Sequence, residues 1–162
     1  MKKLLPFAIC MLIGLVFAGC KGERIVGKDV RIGDVTDFYY TYENINFNAT
    51  YQRYRFFLED GEYRFFHERR ERPGDYGPAT EEDAVSVGTV ALTEEEWNSF
   101  FECLKDGTVN NRSESVESGR SGPWTYLYWK KDRGVCQEFT FASPEAQRAF
   151  EELAAKLCEK EG

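Results

Sequence analysis

One histidine, His67, occurs in the 162 residues. That excludes metal centres built from several imidazoles. Lying on an apolar strand face, His67 reads as a packed residue, and a Cys–His couple with Cys103 or Cys136 needs a fold that joins them. The sequence has no GxSxG, no HExxH and no glycine-rich phosphate loop. The best-marked hydrolase, metalloprotease and nucleotide-binding signatures are therefore missing. No catalytic residue or metal ligand stands out, and no cofactor is expected. Positive charge is also short, with 21 Lys and Arg against 28 Asp and Glu. An acidic domain repels nucleic acid and anionic headgroups, so nucleic acid is not an expected partner. The five cysteines form no CxxC pair, which removes the usual redox and zinc motifs. Of them, Cys103, Cys136 and Cys158 allow at most one internal disulfide.

Long apolar runs are absent with one exception. Met1-Lys2-Lys3 is followed by an apolar stretch from Leu4 to Gly19. A helix crossing a membrane needs about 20 apolar residues, and this run falls short. A positive start, an apolar stretch and a small-residue end make a secretory signal peptide. Its end, Phe17-Ala18-Gly19-Cys20, resembles the lipobox of bacterial lipoproteins, with Phe17 in place of the usual aliphatic residue. The resemblance implies a diacylglycerol on the Cys20 sulfur, with Cys20 as the new N-terminus. Two acyl chains suffice for stable anchoring to a membrane. The alternative is an ordinary signal peptide cut after Ala18. The expected layout is a signal peptide over 1–19, a lipidated N-terminus and tether over 20–33, and a single α+β domain over 34–162.

Within that domain the pattern alternates first at period two. "VTDFYYTYE" (35–43) reads as a half-buried strand with Phe38, Tyr40 and Tyr42 on one side. In "YQRYRFFLEDGEYRFFHERR" (51–70), Asp60-Gly61 predicts a two-residue hairpin turn. That loop sets Leu58 against Tyr63, Phe56 against Phe65 and Tyr54 against His67 on the core side. Residues 71–83 read as a loop, and "AVSVGTVAL" (84–92) as a strand with a bulge at Gly88. "LTEEEWNSFFECLKDG" (92–107) predicts a helix with Thr93 and Glu96 as capping box and Leu92 and Trp97 as staple. Gly107 is its expected left-handed cap. After a polar loop over 108–123 come two strands, 124–131 and 135–141. Their register either sets Tyr126 against Phe139 or, one residue along, Leu127 against Phe139. Ser143-Pro144 opens a last helix with Ala146, Phe150, Leu153 and Leu157 on its apolar stripe. The sum is an α+β fold: a mostly antiparallel sheet of about five to six strands under two amphipathic helices.

Aromatic residues are abundant, 15% of the chain. Some of them serve the core. Others fall on the far face of the hairpin, where Arg55, Phe57, Arg64 and Phe66 form the candidate binding surface. Rings beside fixed cations suit a sugar or an acidic peptide, although the same set can be a self-satisfied ladder. The expected molecule is thus a lipid-anchored, extracytoplasmic bacterial lipoprotein. It would be a non-enzymatic binding or accessory domain, held to the membrane through Cys20 and meeting an envelope protein or glycan. A small cell-envelope hydrolase and a purely structural envelope protein are the alternatives.

Overall fold

The structure, a computed structural model, describes residues 23–41, 50–72, 79–111, 124–130 and 137–161. Its strands are β1 (Arg24–Ile25), β2 (Val35–Thr41), β3 (Thr50–Glu59), β4 (Glu62–Glu71), β5 (Ala84–Ala91), β6 (Thr108–Asn111), β7 (Trp124–Trp129) and β8 (Gln137–Thr140). They form one sheet in the order β1-β6-β8-β7-β2-β3-β4-β5. All neighbours in it run antiparallel. The sheet has eight strands rather than five to six. The two additional ones, β1 and β6, are 2 and 4 residues long, too short to show a period. Residues expected to serve as tether therefore enter the fold: Arg24 pairs with Val109, and Val26 and Val30 are fully buried.

The hairpin of β3 and β4 has the expected register, with Tyr54 opposite His67, Phe56 opposite Phe65 and Leu58 opposite Tyr63. Asp60 and Gly61 both take positive φ, 52° and 87°, as the tight primed turn requires. β5 pairs with β4, and its irregularity falls at Val85, between Ser86 and Ala84, instead of at Gly88. β7 and β8 adopt neither expected register. Tyr126 pairs with Glu138, which turns Thr125, Leu127, Gln137 and Phe139 inward, all of them buried.

Two helices cover the inner face. The first, α1 (Glu94–Leu104), starts on the capping box: the Glu96 amide donates to Thr93 Oγ1 at 3.2 Å, and the Thr93 amide to Glu96 Oε2 at 2.9 Å. Its Trp97, Phe100, Phe101 and Leu104 are buried. Phe100 stacks on Phe56 with centroids 4.1 Å apart, and Trp97 on Tyr63 at 4.4 Å. The left-handed residue after α1 is Asp106 (φ 61°), not Gly107. Gly107 is instead required by space, because a Cβ there would lie 2.5 Å from the Phe139 ring.

The second helix, α2 (Pro144–Cys158), is capped by Ser143, whose Oγ accepts from the Ala146 amide at 3.2 Å. Phe150, Ala154 and Leu157 are its buried residues, Leu153 packs half-buried against the core, and Ala146, expected on the stripe, is only half-buried. Phe38, Phe56, Phe100 and Phe150 meet at the centre of this layer. The Tyr40 hydroxyl, carried into the core by β2, donates to Glu151 and accepts from Gln147 Nε2 at 3.1 Å. A buried hydroxyl thereby keeps its partners.

Candidate functional site

Because side chains alternate along a strand, the inward pattern fixes the outer face. β2 presents Asp37 and Tyr39 there, β3 presents Tyr51, Arg53, Arg55 and Phe57, and β4 presents Arg64, Phe66, Glu68 and Arg70. β7 adds Tyr126 and Tyr128 beside Tyr39 and Asp37.

One end of this face closes on itself. The Glu68 side chain is 5% exposed and lies between two cations, with Arg53 Nη2 at 2.7 Å and Arg70 Nη2 at 2.6 Å. Arg70 also donates to the Ala79 carbonyl at 3.2 Å and covers the Tyr51 ring. Burial raises the Tyr51 pKa, which keeps the phenol neutral.

The other end is open. Thr36, Asp37, Tyr39, Leu58 and Tyr128 line a hollow of about 440 Å³. Tyr39 and Tyr128 stand edge to face, centroids 6.0 Å apart. Arg55 holds the Asp37 carboxylate with Nε at 3.0 and 3.1 Å and Nη2 at 2.6 Å. The guanidinium also lies over two rings, Phe57 at 4.4 Å and Tyr39 at 5.0 Å. Hydrogen bonding to Asp37 raises the Arg55 pKa. Burial, then the Asp37 charge, raises that of Tyr39, so its hydroxyl remains a proton donor. The hollow thus combines aromatic rings with a carboxylate that Arg55 holds from beside it.

The four residues expected at the binding surface do share this face, but they do not form one cluster. Arg55 roofs Phe57, which is only 9% exposed, and belongs to the open end. Phe66 is half-buried beneath Arg53, 5.2 Å from its centroid. Arg64 is occupied at the strand end by Glu59 and Glu62, each at 3.1 Å. Asp37, Tyr39 and Tyr128 were not among the expected residues. The alternation in "VTDFYYT" does place Asp37 and Tyr39 together opposite Phe38. No local signal places Tyr128 next to them.

His67 is 5% exposed on the inner face and stacks on Phe65. Cys103 is half-buried, hydrogen-bonded to the Ser99 carbonyl, with its pKa raised by burial. Cys20 lies outside the described residues, as do Tyr42 and Cys136. Among the described residues no helix is long and apolar enough to cross a membrane. Comparison with protein-family models, with curated proteins and with solved structures returned no match.

Proposed function

We propose that this chain is a lipid-anchored, extracytoplasmic lipoprotein whose folded domain binds an envelope glycan at the open end of its outer sheet face. The anchoring rests on the signal-like N-terminus ending in Ala18-Gly19-Cys20. The binding rests on one observation: the hollow lined by Tyr39, Tyr128 and Asp37, whose carboxylate Arg55 clamps. Sugars present an apolar C–H face and a rim of hydroxyls. Tyrosine rings receive the first, and a carboxylate or guanidinium edge exchanges hydrogen bonds with the second. The neutral Tyr39 hydroxyl, whose proton goes to Asp37, offers its oxygen as an acceptor at the same rim.

The test is calorimetric titration with soluble cell-envelope glycan fragments, comparing the native protein with Tyr39→Ala and Tyr128→Ala. Each variant should lose about tenfold or more in affinity, as removing a stacking ring costs roughly 1–3 kcal/mol, and keep its fold. Equal binding by all three proteins would overturn the reading.

A further inference from the structure

We propose that β5 is a second interaction surface, which takes up an extended polypeptide segment with basic ends as an added strand. Among the described residues β5 ends the sheet and pairs with β4 alone, with the short turn Glu159–Glu161 packed near it. The Leu92 amide donates to the Tyr63 carbonyl at 2.8 Å, in register with the β4–β5 ladder. In an antiparallel ladder the residues bonded to one neighbour recur at every second position. Val90, Gly88 and Ser86 therefore share the orientation of Leu92. The amides and carbonyls of Ala91, Thr89 and Val87 point the other way, towards the open edge. Those same residues are exposed, Val87 at 56%.

Sheet edges of this kind are normally blunted by lysine, proline or a covering segment. β5 (AVSVGTVA) carries neither residue and no charge at all. Its one interruption, at Val85, lies near the start and leaves the rest regular.

Charge decides the occupant. Glu81 and Glu82 precede the strand and Glu94 and Glu95 follow it, all exposed. Asp83 and Glu96 are already engaged by Thr80 and by Thr93 and Lys160. A second copy docking antiparallel would bring Glu81 and Glu82 of each chain against Glu94 and Glu95 of the other, and like charges facing each other oppose that pairing. An extended segment with Lys or Arg at both ends meets opposite charge at both ends. Its backbone supplies the hydrogen bonds, and alternate side chains rest beside Val87 and Thr89.

The probe is a short synthetic peptide of alternating threonine and valine with lysines at both ends; its control has glutamates there instead. Binding is followed by amide hydrogen exchange of the native protein. The basic peptide should slow exchange at Val87, Thr89 and Ala91, and bind about tenfold or more tighter than the acidic one at low salt. The difference should shrink as salt screens it. Val87→Pro removes an outward donor without taking a bond from β4, so it should abolish binding while the melting temperature holds. Should that variant fail to fold, the exchange pattern of the native chain still decides. Equal binding of both peptides, protection elsewhere, or self-association without peptide each overturns the proposal. Tyr39→Ala should leave peptide binding intact, which separates this surface from the glycan site.

Discussion

Arg55 grips Asp37 from the neighbouring strand with two nitrogens of its guanidinium, Nε at 3.0 Å and Nη2 at 2.6 Å, while its guanidinium carbon lies 4.4 Å from the centre of the Phe57 ring. Lysine has the charge but neither the fork nor the plane. Arg55→Lys should therefore disturb the site more than the fold. The Arg55 side chain is 36% exposed, so loss of the pair should cost only about 0–1 kcal/mol after solvent screening. Glycan affinity should fall by about tenfold, in line with a lost charge-assisted contact. Calorimetry and thermal melting on one preparation check both halves. A variant that binds normally would remove Arg55 from the site.

Gly107 provides a purely steric test. Its φ is not among the positive ones, so alanine brings no backbone strain. The added methyl would meet Phe139 at 2.5 Å and the Thr140 carbonyl at 2.8 Å. Phe139 is 2% exposed and packed edge-on against Phe38 and Phe141, which leaves it little room to retreat. Gly107→Ala should destabilise by about 1–3 kcal/mol, the usual range for overpacking. Urea unfolding measures it; an unchanged midpoint would mean that β8 yields easily.

These two relationships mark what a linear reading reaches. The Asp60-Gly61 hairpin and the Thr93 capping box are legible because turn, cap and stripe all lie within a few residues of one another. The β7–β8 register is not. It depends on Gly107 lying against Phe139 and on the Thr125 hydroxyl bonding the Phe139 carbonyl, contacts that no local pattern encodes. The candidate site divides in the same way. Arg55 and Phe57 are legible from the hairpin, whereas Tyr128 reaches Asp37 only through the non-sequential pairing of β2 with β7. Strands as short as β1 and β6 exist because neighbours supply their partners, and their own sequence carries too little pattern to announce them.

The start of α1 should be sensitive to acid. The Glu96 pKa is lowered, first by its bond to Lys160 and then by the amide and hydroxyl of Thr93. A carboxylate depressed in the folded state adds stability that is complete above its ordinary value and lost as pH falls through the lowered one. Glu96→Gln should thus be destabilising at neutral pH and converge with the native protein below the ordinary glutamate range. Thr93→Ala should cost about 1 kcal/mol by removing the capping hydroxyl. Melting curves from neutral pH to strongly acidic pH give both results. A constant gap between Glu96→Gln and native protein at every pH would contradict the assigned shift.

Cys20 carries the anchoring half of the proposed function. A thiol is needed there, because sulfur takes the diacylglycerol. In a bacterial host, Cys20→Ser should leave an unprocessed precursor and abolish labelling with a radioactive fatty acid. Release of a normally cleaved, unlabelled protein into the medium would favour an ordinary signal peptide cut after Ala18.

The closed end of the outer face makes the sharpest energetic test, because Glu68 serves two arginines of different exposure. The Arg53 side chain is 36% exposed and can turn into solvent when its partner is lost. Arg70 is 11% exposed, enclosed by Ala79 and the Tyr51 ring, and has no such escape. Glu68→Ala therefore strands a buried guanidinium, and should cost about 3–5 kcal/mol, as breaking a buried pair from one side does. Arg70→Met should cost less, because Glu68 keeps Arg53 at 2.7 Å. In the double variant no buried cation is left, and a methionine of similar length fills the space beside Tyr51. Its loss should fall well below the sum of the single losses, with a coupling of about 1–3 kcal/mol. Urea unfolding of the four proteins completes the cycle. Additive losses would mean that water already reaches Arg70, and that the ion triad does not close this end of the sheet.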